Sequence, residues 1–245
     1  MTESGEIKDE FKFTTYKYES ALANTAVRAI RSFLRRTGEF KVINTHKLSV
    51  PKPLLIVANH ITNYDSVALA IFLVDHGIPP HIFAKAELWK MPVVKQVLNA
   101  THMISVERNS ANAANSLENA KERLSSDSDG CIFMFPEGTT TKRADKLPMD
   151  GKTGAARLLL NNDIHVLPIA IDGTQNKPRK VQIKVGNIFD FNSEKTAYNS
   201  AESDDAKREI VDAVTSKIMQ ELTVMVKSLR ENAEMNDENN ESEVK

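Results

Sequence analysis

His60 and Asp65 stand five residues apart in Asn59-His60-Ile61-Thr62-Asn63-Tyr64-Asp65, directly after an apolar run at 54–58. A histidine that takes a proton from an alcohol needs its far ring nitrogen held by an anion. That leaves the reactive nitrogen with its lone pair and stabilises the imidazolium that forms. Asp65 supplies the anion if the chain turns sharply between strand and helix. A plainer reading of the same residues makes Thr62 and Asp65 a capping box for a helix over 66–74, with His60 a polar strand end. A second block, Phe135-Pro136-Glu137-Gly138-Thr139-Thr140-Thr141, follows another apolar run at 131–135. Pro136 stops that strand, and Gly138 lets the backbone come close to a ligand, so that amides and threonine hydroxyls can face an anion. Alone, such a turn usually only reverses the chain; its weight comes from the His/Asp block.

Together the two blocks resemble the glycerolipid acyltransferase family, the H-x-x-x-x-D enzymes that include 1-acylglycerol-3-phosphate acyltransferases. The resemblance runs from about 51 to about 185, in the family's order. Asn59 to Asp65 is similar to its first block, with Thr62 where serine is usual. Ala84-Lys85-Ala86-Glu87-Leu88-Trp89-Lys90-Met91-Pro92 resembles the lysine-bearing segment, and Ile104-Ser105-Val106-Glu107-Arg108 the arginine block. The turn Phe135 to Thr141 is similar to the third block. Gly151-Lys152-Thr153-Gly154-Ala155-Ala156 resembles the segment behind it, and Val166-Leu167-Pro168-Ile169-Ala170 the fourth block.

The resemblance implies His60 as general base and Asp65 as its orienting carboxylate. Lys85 and Arg108 would hold a phosphomonoester, the first as a compact charge and the second as a planar fork. Glu137, Gly138 and Thr139 would complete the acceptor site. The implied reaction moves a fatty acyl group from acyl-CoA or acyl-ACP, the acyl carrier protein thioester, to the sn-2 hydroxyl of the lysophospholipid 1-acyl-sn-glycerol-3-phosphate, giving phosphatidic acid. Both thioesters are co-substrates, and no cofactor is implied. Acylation of glycerol 3-phosphate or another lysolipid, hydrolysis of the thioester, and non-catalytic lipid binding are the rival readings. Three further departures from the family pattern stand beside Thr62. Thr140 replaces the arginine that often follows Glu-Gly-Thr, so that contact is either missing or moved to Lys142 or Arg143. Glu107 stands where aspartate is common, and Thr101-His102 where a glycine often precedes the arginine block.

Composition agrees with one enzyme domain. The chain has 245 residues, 41% of them hydrophobic, enough to bury a core as a single α/β unit. A formal net charge of -1 argues against a general nucleic-acid binder. Cys131 is the single cysteine and lies in an apolar run, which reads as a buried, inert thiol in a reducing cytoplasm. Gly151-Lys152-Thr153 lacks the upstream glycine of a phosphate-binding loop, Lys146 standing there, and reads as a helix start. No Cys/His cluster has metal-ligand spacing.

Apolar runs alternate with helical patterns. Strands are predicted at 54–58, 82–84, 103–107, 131–135, 164–171 and 181–185, and helices at 66–74, 92–98, 111–124, 153–161 and 206–229. That order predicts a central mostly parallel or mixed sheet flanked by helices, with chemistry at the strand ends. Residues 1–50 form an N-terminal segment, 51–230 the acyltransferase-like domain, and 231–245 an acidic, asparagine-rich tail expected to be disordered. The polar, acidic residues 1–10 predict no leader, and no apolar run is long enough to span a bilayer. Over 18–36, Leu22, Ala26, Ile30, Phe33 and Leu34 recur at helical spacing among Arg28, Arg31, Arg35 and Arg36, with Gly38 placed to stop the helix. Such a helix either packs its stripe on the domain or lies in a lipid interface. The second role would place the protein in the cytoplasm, peripheral on the inner face of the cell membrane.

Overall fold

The computed structural model describes residues 15–106, 113–126 and 131–242. Seven strands make one sheet: β1 (Gly38–Ile43), β2 (Leu54–Ala58), β3 (His81–Lys85), β4 (Ile104–Val106), β5 (Cys131–Met134), β6 (His165–Asp172) and β7 (Arg179–Val185), in the order β1-β7-β6-β2-β5-β3-β4. Neighbours run parallel except β6 and β7, which pair antiparallel, so the sheet is mixed as predicted. β2 is central and buried at every position. A parallel strand covered on both faces reads as an unbroken apolar run, which is why 54–58 and 131–134 are visible in the sequence.

The two faces of the sheet carry separate helical layers. Leu54, Ile56 and Ala58 pack with Phe133, Ile169 and Ile183 against α1 (Ala21–Thr37) and α2 (Asn63–Asp75). Leu55 and Val57 alternate to the other side with Ile132 and Val166. They meet α4 (Ala113–Ser126), α5 (Gly154–Leu160) and α7 (Asp204–Ser242). α3 (Pro92–Ala100) packs beside α1, and α6 (Asn192–Ser200) beside α7. Short 3-10 turns cover Thr45–Leu48 and Ala86–Lys90.

Three features depart from the sequence reading. Gly38 opens β1 as well as closing α1; the strand is an exposed edge whose polar positions hide its pairing with β7. α6 has no buried residue and so no apolar stripe to betray it. Over the residues expected to be a disordered tail from 231, α7 continues to Ser242. The stretch holds no proline or glycine, and a helix already nucleated propagates at little cost per residue. Residues 243–245 lie outside the described part, as do 107–108 of the arginine block and 111–112 of the fourth helix. Among the described residues no helix is long and apolar enough to cross a membrane.

Candidate active site

The C-terminal ends of β2, β5 and β6 lie side by side, because all three run parallel. Past the end of β2, Asn59 is 1% exposed and behaves as an extra backbone unit. Its side-chain amide donates to the Ile171 carbonyl, and its carbonyl accepts the Ile171 N–H, both at 2.9 Å. The chain is thereby held to β6 at the point where it must turn.

His60 is next, 5% exposed, with its backbone fixed on both sides by the second block. Its N–H donates to Glu137 Oε1 at 2.8 Å and its carbonyl accepts the Thr141 N–H at 2.7 Å. The imidazole stacks on Phe135, ring centres 4.0 Å apart and planes 14° from parallel. Its Nδ1 lies 3.1 Å from Asp65 Oδ2. A carboxylate accepts and does not donate, so this contact puts the ring proton on Nδ1 and leaves Nε2 as the acceptor.

Asp65 is fully buried, and five donors converge on it. Oδ2 takes the Nδ1 contact and the N–H groups of Ile61 and Thr62; Oδ1 takes the hydroxyls of Thr62 and Thr174, the latter at 2.6 Å. The capping box is real as well, with the Thr62 hydroxyl accepting the Tyr64 N–H at the start of α2. The capping and proton-relay readings are therefore one arrangement. The helix start that fixes Asp65 also aims it at His60.

Glu137 has a positioning part that its place in the sequence does not disclose. It is 2% exposed, and its second oxygen accepts the Met149 N–H at 3.0 Å. With each oxygen on a main-chain amide, it staples the third-block turn to His60. Burial pushes its pKa up, opposed by the two N–H groups it accepts. Gly138 closes the turn with its N–H on the Phe135 carbonyl at 2.9 Å and a φ of +68°, a conformation that favours glycine. The Thr139 and Thr140 amides make no hydrogen bond among the described residues, which leaves them available to an anion.

Lys152 was not expected at the site. Its N–H bonds the Pro136 carbonyl at 2.8 Å, and its side chain lies across Gly138, so that a Cβ there would meet Cδ and Cε at 3.1 Å and Nζ at 3.3 Å. The exposed ammonium of Lys152 thus stands beside the Glu137-Gly138-Thr139 turn. Arg143, one of the two substitutes for the absent arginine, is engaged with Asp145 by a two-pronged pair at 2.9 and 2.6 Å.

Lys85, exposed at the end of β3, shares a cavity with His60. The cavity, about 440 Å³, is walled by Ala26, Val27 and Ile30 of α1, Val67, Ala70, Ile71 and Val74 of α2, and Val97 and Leu98 of α3. It runs from His60, Asn63 and Lys85 to Tyr18, Val74 and Thr101, roughly 12 Å along α2 from Ser66 to Val74 at the helical rise. The apolar stripe of α1 is thus partly a cavity wall, with Leu34 buried in the core and Leu22 and Phe33 exposed. Arg31 pairs with Asp75, while Arg28, Arg35 and Arg36 are exposed. Arg108 lies outside the described residues; Val106, two positions before it, is the register partner of Lys85. Burial pushes the Cys131 thiol up to about 12, which removes it as a nucleophile at neutral pH.

A family model described as Acyltransferase matches residues 39–172. The 1-acyl-sn-glycerol-3-phosphate acyltransferase of Salmonella typhimurium is 31% identical over 131 residues, covering 50% of this chain and 48% of that one. A probable 1-acyl-sn-glycerol-3-phosphate acyltransferase of Mycoplasma genitalium is 30% identical over 166 residues, 66% of this chain and 60% of that one. The matches thus span about half the length of several curated relatives. Among solved structures, the 1-acyl-sn-glycerophosphate (LPA) acyltransferase PlsC from Thermotoga maritima superposes with a TM-score of 0.55 at 20% identity, over 82% of this chain and 80% of that one. At that identity the likeness is one of fold.

Proposed function

The chain belongs to the Acyltransferase family, and from that premise we propose that it transfers a fatty acyl group from acyl-CoA or acyl-ACP to the sn-2 hydroxyl of 1-acyl-sn-glycerol-3-phosphate, giving phosphatidic acid. The observation that carries the reading is one cavity lined by His60, whose Nδ1 is held by Asp65, together with the exposed Lys85 and an apolar length suited to an acyl chain. The names of the curated relatives support the acceptor.

In this reading the acyl chain lies along α2 with its thioester carbonyl beside His60. His60 Nε2 takes the proton of the acceptor hydroxyl as the oxygen attacks that carbonyl. The imidazolium is stabilised by Asp65, whose remaining donors fix the carboxylate so that it need not reorganise. Collapse of the tetrahedral intermediate breaks the carbon–sulfur bond, and the departing thiolate takes the proton back from His60. Ester and free thiol result, with no covalent acyl-enzyme. Amides at the Thr139-Thr140 turn stabilise the oxyanion or the acceptor phosphate. Lys85, Lys152 and Arg108 supply positive charge for the phosphate. The substrate is a membrane lipid, so the protein works at a bilayer surface from the cytoplasmic side.

Purified protein, offered each thioester with a panel of lysolipids and glycerol 3-phosphate, tests this. Thiol release matched by phosphatidic acid from 1-acyl-sn-glycerol-3-phosphate is the expected result. Thiol release with free fatty acid instead would make the protein a thioesterase, and a different ester product would reassign the acceptor.

A further inference from the structure

The segment that walls the cavity on its open side has an outer surface that the fold does not explain. Leu88 lines the cavity and is also 37% exposed, so it stands at the mouth. Met91 and Val93 follow at 53% and 69% exposure, and α3 contains no buried residue. On this helix the i,i+4 pairs Val93/Val97 and Val94/Leu98 carry one apolar stripe. Its Val97/Leu98 half faces the cavity and its Val93 end lies in solvent. Lys85, Lys90 and Lys95 are exposed around these side chains, against the single acid Glu87.

Met91 is the sharpest anomaly. It occupies the N-cap of α3 and makes no side-chain capping bond. Serine, asparagine or aspartate at that position satisfies an orphan amide, and an aliphatic side chain is among the worst choices. Helix stability therefore argues against methionine, and burial does not argue for it. An exposed apolar group ringed by lysines matches the chemistry of an anionic lipid surface, where aliphatic tips enter the acyl boundary and ammonium groups meet the headgroups.

We propose that Leu88, Met91 and Val93, flanked by Lys90 and Lys95, form the face on which the protein docks to an anionic bilayer, with the cavity mouth opening onto the lipid. The inference rests on the lipid-acceptor reading for its purpose, but lipid binding is measured without turnover.

The test uses the full chain and vesicles of phosphatidylcholine, with and without phosphatidylglycerol. Met91→Ser with Val93→Ser should leave the fold intact, since serine caps α3 better than methionine. This pair should weaken sedimentation with both kinds of vesicle about tenfold or more, because two apolar tips no longer enter the interface. Lys90→Gln with Lys95→Gln should weaken binding to the anionic vesicles alone, by roughly tenfold, and flatten its salt dependence. Both pairs should keep parental activity on a dispersed short-chain acceptor. Parental binding in both variants overturns the proposal, as does a parent that binds neither vesicle. Loss confined to Arg28→Glu, Arg35→Glu and Arg36→Glu moves the docking surface to α1 and also overturns it. A parental dimer that the serine pair dissociates, with lipid binding kept, makes the face a contact between copies of this chain. A parent that binds through this face yet transfers no acyl group leaves the surface standing and removes the proposed reaction.

Discussion

At the residue scale, the site is a His60 ring clamped at three points: stacked on Phe135, bonded at Nδ1, and held through both main-chain groups. His60→Ala should lower turnover by about 10²-fold or more, the usual scale for loss of a general base, with unfolding by denaturant little changed. Near-parental turnover in the folded variant would remove the mechanism. Thr174→Val leaves His60 in place but takes the 2.6 Å hydroxyl from Asp65. A drop in turnover with an unaltered acceptor Michaelis constant is expected, since the carboxylate alone loses its anchor.

Glu137 allows a pH test with a definite sign. Its folded pKa is raised, so its contribution is fully present below the unfolded value of about 4.3 and is lost as pH rises through the folded value. Stability of the parent should therefore decline over that window, and Glu137→Gln should lack this component. Against it, the glutamine cannot accept with both side-chain atoms, so one amide of His60 or Met149 is orphaned, at about 1–3 kcal/mol. Urea midpoints measured from acid to neutral pH separate the two effects. His60 and Asp65 were legible because their spacing crosses a strand-to-helix turn. Thr174 was not, because it meets Asp65 from 109 residues away. The Lys152 side chain was legible only as part of a helix start, since its approach to Gly138 depends on the fold.

At the element scale, legibility follows burial. β2 and β5 stand out because both faces are covered, whereas β1 and α6, with polar exposed surfaces, give no periodic signal. α2 is the most instructive element. It is apolar on nearly every side, since one side meets the sheet core and another meets the cavity, so its pattern alone does not disclose a binding wall. Ala70 lies midway along that wall. Ala70→Phe should block the far part of the cavity while the near part, beside His60, stays open. Transfer from a long-chain donor should fall about tenfold or more, because a methylene misplaced in an apolar pocket costs about 1–3 kcal/mol, and a short-chain donor should react as before. Equal losses on both donors would mean that the chain does not lie along α2.

At the scale of the whole molecule, the question is what ties the last helix to the chemistry. α7 packs Val211, Val214, Ile218 and Leu222 against the sheet face opposite the cavity, and further along it Arg230 ties it to two loops. The guanidinium spans Asp172 with bonds of 3.0 and 3.1 Å and reaches the Asp145 carbonyl at 2.8 Å. Asp172 ends β6, two residues before Thr174, and Asp145 lies in the loop that leads from the third block to Met149, the second amide on Glu137. Arg230 thus joins the C-terminal helix to both segments that hold His60 and Asp65. Arg230→Ala should cost about 1–3 kcal/mol, because Asp172 is left largely buried without its partner. At roughly 2–4 °C per kcal/mol for a chain of this size, that is a clear fall in melting temperature, and turnover should fall with it. Removing residues 234–245, which carry acidic and amide side chains beyond this anchor, should leave melting temperature and turnover near parental values. A large loss on that truncation, matching or exceeding that of Arg230→Ala, would place the structural end of the domain in the tail and not at Arg230.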